Sequence, residues 1–202
     1  MPEPKIGRIL AASLHQAINE LMPTRVEFYE NWLTPGRFRE GVLGRACITA
    51  VISFLRKEGA EYDAVVDRAG RYTADWTVET LSVVERALLQ RLPRLIRVRV
   101  VLWIAARMIR GLHEDVGLRA VVRRGTVVVT VDGSLFCDVR AHTTVPLCRY
   151  YGAILECCLK SFDVLALAQP SQCRATGDGT CEFIIHIGER ETHVGADALA
   201  AV

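Results

Sequence analysis

The sequence has little net charge, no apolar run of membrane length and none of the common catalytic fingerprints, and each absence narrows the field. With 25 basic and 23 acidic side chains, the 202 residues carry +2, too little to imply nucleic acid by itself. The apolar run Val100 to Ala106 spans seven residues, whereas a transmembrane helix needs ~20. No Gly-x-Ser-x-Gly elbow, P-loop or dinucleotide fingerprint occurs, which removes three common enzyme templates, so catalysis is not expected. The histidines His15, His113, His142, His186 and His193 have no short spacing that would make a metal pair. Met1-Pro2-Glu3-Pro4-Lys5 does not lead into a long apolar stretch, so no secretory signal is read and a cytoplasmic location is expected.

What is present describes a folded chain. Half the residues are apolar and about a quarter charged, enough to build one core and fold throughout. Seven cysteines, an odd number, in a chain able to stabilise itself are expected as core fillers or metal ligands in a reducing compartment, not as a disulfide framework. Six arginines, Arg91, Arg94, Arg97, Arg99, Arg107 and Arg110, cluster around the short apolar run. A basic amphipathic surface for a membrane or partner is one reading, and a solvated helix face is the simpler one.

Periodicity organises the chain. Ile6, Ile9, Leu10, Leu14, Ile18 and Leu21 recur at helical steps until Pro23. After a turn at Thr34-Pro35-Gly36, a long core helix is predicted from Phe38 to Lys57, with Val42, Leu43, Ala46, Cys47, Ala50, Val51, Phe54 and Leu55 on one stripe. A helix capped by Asp75 or Thr77 is predicted through Leu81, Val84, Leu88 and Leu89 to Pro93, and another over Leu95 to Leu112. The texture then turns β-branched: strands are predicted at Leu118 to Arg123, Thr126 to Val131 and Leu135 to Val139, separated by Arg124-Gly125 and Asp132-Gly133. A helix through Leu147, Tyr151, Ile154, Leu155 and Cys158 and strands at Val164 to Ala168 and Glu182 to Ile187 follow. The predicted class is α+β, with N-terminal helices packed on an antiparallel sheet. The expected organisation is an N-terminal helical part over 1–58, an α/β core over 59–190 and a loosely held tail over 191–202.

The most specific stretch runs Ser171-Gln172-Cys173-Arg174-Ala175-Thr176-Gly177-Asp178-Gly179-Thr180-Cys181-Glu182-Phe183. Gly177 and Gly179 offer backbone freedom to a tight loop, and Asp178 can brace it through its own backbone. With the upstream segment Cys148-Arg149-Tyr150-Tyr151-Gly152-Ala153-Ile154-Leu155-Glu156, this resembles the closing motif and helix of the 4-vinyl reductase family, over Val145 to Ile187. That family is similar in fold to TRAPP trafficking subunits and includes the ligand-sensing domains of aromatic-responsive activators and a protein linked to bacteriochlorophyll synthesis. The resemblance implies a mixed α/β domain that often dimerises and holds a hydrophobic small molecule.

It also implies zinc held by Cys148, Cys173 and Cys181, as in the aromatic-responsive sensors; the alternative is that these cysteines pack as small buried residues. The family's glutamate ligand would stand at Pro170, which cannot coordinate, so the fourth ligand is expected from water, His142, Glu156 or Glu182. Cys157 and Cys158 point about 100° apart on a helix and do not serve one metal. Cys47 matches, by helix order alone, a lipid-accepting cysteine of the trafficking subunits, and core packing is favoured for it. His113 and Trp103 are candidates to line a pocket. A homodimer is expected because the apolar face of Val98 to Ile109 looks too large to expose. Three functions stand: a sensor or carrier of a hydrophobic small molecule that signals through a protein partner, an accessory of tetrapyrrole metabolism with or without vinyl reductase activity, and a TRAPP-like scaffold. Nucleic acid is not an expected partner.

Overall fold

The computed structural model describes residues 6–33, 44–123 and 126–188. The turn read at Thr34-Pro35-Gly36, the first part of the Phe38 helix, the Arg124-Gly125 turn and the tail 191–202 lie outside the described residues. Among those described there are seven α-helices and one four-stranded antiparallel sheet, an α+β architecture. The helices are α1 (Arg8–Leu21), α2 (Val26–Glu30), α3 (Arg45–Leu55), α4 (Ala60–Glu79), α5 (Val83–Arg91), α6 (Arg94–Arg110) and α7 (Arg149–Lys160). The strands β1 (Gly117–Arg123), β2 (Thr126–Asp132), β3 (Ala166–Gln172) and β4 (Cys181–Ile187) stand in the order β1-β2-β4-β3.

One face of the sheet is the floor of the core. Val127, Val129 and Val131 of β2 and Cys181, Phe183 and Ile185 of β4 are fully buried, at the alternate positions that a one-sided sheet demands. Helix α7 lies across β3, α6 lies over β1, and α4 packs between α7 and α1. The approach of α4 to α7 is close because residue 70 is glycine: a Cβ there would collide with the Tyr150 carbonyl oxygen and stand 2.9 Å from the Ala153 Cβ. At this crossing the buried Tyr150 hydroxyl lies 2.7 Å from Thr73 Oγ1 and 3.3 Å from Ser13 Oγ, so α1, α4 and α7 share one satisfied polar knot.

Several predicted elements differ. Asp75 and Thr77 lie inside the twenty-residue α4, whose buried stripe mixes Gly70 and Thr73 with Val65, Val66 and Ala69, small and polar members that blur a hydrophobic period. The helix start read there falls later, at Ser82, whose side chain and Glu85 form a reciprocal capping box around α5. The strand expected at Leu135 to Val139 does not form. Leu135–Cys137 is a 3-10 turn, and Arg56 donates to the carbonyls of Phe136 at 2.9 Å and Asp138 at 3.1 Å, so a side chain takes up acceptors that a sheet would have used. Strand β3 runs later than read, through Pro170 to Gln172, with an irregular register at Pro170; an edge strand tolerates a residue with no N–H. The core side of α3 is Ile48, Val51, Ile52 and Leu55, leaving Cys47 and Phe54 half-buried and Ala46 exposed. Val98, Val101, Leu102, Ala105 and Ile109 of α6 are buried within the chain itself. That apolar face therefore gives no reason for pairing.

Candidate metal centre

Four segments far apart in sequence end at one point. Cys137 closes the 3-10 turn after β2, Cys148 is the residue before α7, Cys173 follows β3, and Cys181 opens β4. Their four Sγ atoms lie within 4.8 Å of one another and all four residues are buried. Cys137 Sγ sits 3.4 Å from both Cys173 Sγ and Cys181 Sγ.

The loop between β3 and β4 is built to present two of these thiols. Gly177 adopts a left-handed conformation at φ 107°, a position that disfavours any side chain. The Asp178 carboxylate accepts from the Cys173 N–H at 2.8 Å, and the Asp178 N–H donates back to the Cys173 carbonyl at 3.2 Å. Thr176 Oγ1 donates to that same carbonyl at 2.8 Å. Gly179 has no positive φ, and open space surrounds its absent Cβ; the turn does not demand glycine there. On the other side, the Tyr62 hydroxyl donates to the Leu147 carbonyl at 3.0 Å, fixing the chain just before Cys148.

The electrostatics of the set are lopsided. Hydrogen bonds from Cys137 and Cys148 hold Cys173 and Cys181 below the ordinary thiol value. Cys148 is pushed up by its bonds to Cys137, Cys173 and Cys181 and by burial. For Cys137 the bond with Cys148 pulls downward, but the bonds to Cys173 and Cys181 together with burial outweigh it and the net is upward. Gathering four thiolates in one buried place would require a cation among them.

The donor set fits a single soft divalent ion. With Zn–S bonds of about 2.3 Å, a tetrahedral tetrathiolate has sulfur–sulfur edges of ~3.8 Å, a value bracketed by the 3.4 Å contacts and the 4.8 Å limit of the group. Of the ligands considered from sequence, Cys148, Cys173 and Cys181 come together. The expected fourth ligands do not join them: Glu156 receives two bonds from Arg149, at 3.0 and 2.8 Å, and one from the Ala168 N–H. Glu182 bonds Ser171, and His142 is exposed beside Gly177. The fourth sulfur that meets them is that of Cys137, which the sequence reading put in a strand. Its separation from the other cysteines gives no signal, because no short Cys-x-x-Cys pair exists. Cys157 bonds Asp75 at 3.0 Å, away from the set.

The pocket candidates separate. His113 is almost fully buried with its Nε2 unpaired; burial first, and then Arg45, brings it down to about 4 against the opposing pull of Asp115. Trp103 is exposed and borders two grooves. One, of about 440 Å³, runs past Ile9, Leu81, Ile104 and Met108; the other, of about 560 Å³, runs along Leu118, Ala120 and Val122 between Arg99 and Arg110.

No family model matches the chain, and no curated protein matches it by sequence. Solved structures share its fold. An H-NOX protein from S. oneidensis in the Fe(II)NO state is similar at TM-score 0.57 and 14% identity, over 91% of this chain and all (100%) of that one. The phenol-responsive sensory domain of the transcription activator PoxR, solved with phenol, is similar at TM-score 0.50 and 11% identity, over 72% of this chain and 75% of that one. A trafficking protein particle complex subunit 3 from Naegleria fowleri, covalently bound to palmitic acid, reaches 0.47 at 11% identity, over 71% and 90% of the two chains. The fold is thus shared with the H-NOX protein and with the PoxR sensory domain; at such identities the likeness concerns the fold alone.

Proposed function

We propose that this chain is a small-molecule-binding domain of the 4-vinyl-reductase type, held together by one zinc ion on Cys137, Cys148, Cys173 and Cys181. The convergence of four buried sulfurs within 4.8 Å carries the reading. Bound there, zinc would supply a closed tetrathiolate with no open position, a structural tie and not a catalytic centre. The chain's own contribution is placement. Asp178 and Gly177 shape the β3–β4 loop, Arg56 holds the turn of Cys137, and Tyr62 anchors the entry to α7. The tie therefore joins both middle strands of the sheet to the helix that covers it.

The ligand is assigned by lining chemistry. The groove of Ile9, Leu81, Trp103, Ile104 and Met108 is predominantly apolar, with Thr77, Thr80 and Arg107 also in its lining, which suits a hydrophobic molecule bearing one polar or anionic end. Shared fold with a phenol-responsive sensory domain supports a sensor or carrier role in preference to a scaffold. Pairing of two copies is no part of this proposal.

Metal analysis of protein purified without an affinity metal decides the first part. The expected result is one zinc per chain with four sulfurs at about 2.3 Å by X-ray absorption; a metal-free chain with full stability overturns it. For the ligand, a hydrophobic aromatic acid should quench Trp103 fluorescence in the parent protein and fail to do so in Met108→Glu. Equal quenching in both places the ligand elsewhere.

A further inference from the structure

Neither the metal centre nor the groove accounts for the surface formed by α5 and the first half of α6. Helix α5 has a single buried residue, Leu89. Its other apolar residues face away from the body: Val83, Val84 and Leu88 are 73%, 77% and 62% exposed. At about 100° per residue, Val83, Ala87, Val84 and Leu88 fall within one arc of roughly 140°, and Leu89 falls outside it. A surface helix ordinarily turns such a stripe inward; here it faces solvent. The stripe continues past Leu92-Pro93, where Leu95 and Ile96 are 59% and 46% exposed, to Trp103 at 57%. Leu81, just before α5, shares a groove with Trp103 and Met108, so the start of α5 lies beside the second half of α6.

The charge along α5 and α6 is almost all of one sign. Residues 83–110 contain seven arginines and a single acid, Glu85, and that acid is engaged by the Ser82 N–H at 2.8 Å and hydroxyl at 2.7 Å. Among the described residues, Arg86, Arg91 and Arg99 make no ion pair. A second copy meeting this face about a two-fold axis would set arginine against arginine, so like charge opposes self-pairing, and an anionic occupant with an apolar layer beneath its charge fits the face better. Short aliphatic side chains, an exposed tryptophan and interleaved arginines on a helical hairpin match the boundary between headgroups and acyl chains.

We propose that the α5–α6 face docks this protein on a membrane surface carrying anionic phospholipid headgroups. Val84, Leu88 and Leu95 enter the headgroup–acyl boundary, while Arg91 and Arg99 meet the phosphates. With no covalent lipid assumed, the attachment is reversible and depends on salt.

Co-sedimentation of the whole chain with vesicles tests this. Vesicles of phosphatidylcholine with about one-third phosphatidylglycerol should bind it and pure phosphatidylcholine should not, with binding lost near ~1 M salt, where the Debye length is ~3 Å. Arg91→Gln and Arg99→Gln should each weaken binding about five-fold. Val84→Asp and Leu88→Asp should abolish it while the circular dichroism spectrum is unchanged, and Arg119→Gln on β1 should leave it intact. Absence of binding to the anionic vesicles overturns the proposal, as does equal binding to pure phosphatidylcholine. A dimer by light scattering that Leu88→Asp converts to monomer, without vesicle binding, would assign the face to self-association and overturn it equally. An acidic protein that binds this face where vesicles do not would also overturn it.

Discussion

Two single side chains show how local geometry becomes stability. The Asp178 carboxylate satisfies the Cys173 N–H and approaches Thr176 Oγ1 at 3.1 Å, holding the loop in the shape that presents Cys173 and Cys181. Asp178→Ala removes the acceptor and leaves that N–H unpaired, so a cost of about 1–2 kcal/mol in urea unfolding is expected, with helix content unchanged. His113 acts through burial. Its folded pKa of about 4 lies below the ordinary histidine value of 6.5, so the unfolded chain takes up the proton first. Stability from this residue is fully present above pH 6.5 and is lost as pH falls from there toward 4. The loss is on the order of 2 kcal/mol, and His113→Gln should flatten the urea midpoint between pH 6.5 and 5.

Among the elements, the crossing of α4 and α7 is the tightest joint. Arg149 links the two helices through Asp67, at 2.7 Å from its Nε, and through Glu156 on its own helix, which in turn accepts from the Ala168 N–H of β3 at 2.8 Å. This chain of charge-assisted bonds sets the height of α7 above the sheet, and Gly70 sets its distance from α4. Gly70→Ala would push against backbone, which cannot swing away as a side chain tip can, so a loss of about 2–3 kcal/mol is expected by thermal or chemical unfolding. The change should also loosen Cys148, because α7 begins directly after it, and zinc release to a chelator should quicken in the same variant.

Across the molecule, the four sulfurs join the two inner strands, the outer loop and the covering helix. Serine at 137, 148, 173 or 181 should each remove most of the bound zinc and lower the unfolding temperature, whereas serine at 47 or 157 should leave metal content unchanged. Elemental analysis beside differential scanning fluorimetry checks both halves. A set of four thiolates is also expected to keep zinc through gel filtration in a mild chelator, a tighter retention than three cysteines and a water would give. Far-ultraviolet dichroism should persist after metal removal, since the core running from Leu10 to Ile185 does not depend on the tie.

Patterns that repeat locally were legible in the sequence. The stripe of α1, the paired β-branched runs of β1 and β2 and the start of α7 each announce themselves within a dozen residues, because burial on one face imposes a period. The α+β class followed from their order. Three of the clustered cysteines were legible through a resemblance confined to one loop and one helix. The fourth was not: positions 137, 148, 173 and 181 are 11, 25 and 8 apart, and no period relates them. Cys137 reaches the set because Arg56, about eighty residues earlier, draws the carbonyls around it into a turn. The direction of the α5 stripe was equally hidden, since periodicity says which residues share a face but not whether the body of the protein lies beneath it. Local composition determined what the elements are; only their packing decided which cysteines meet and which apolar face is left bare, because both depend on contacts between segments that the chain itself keeps far apart.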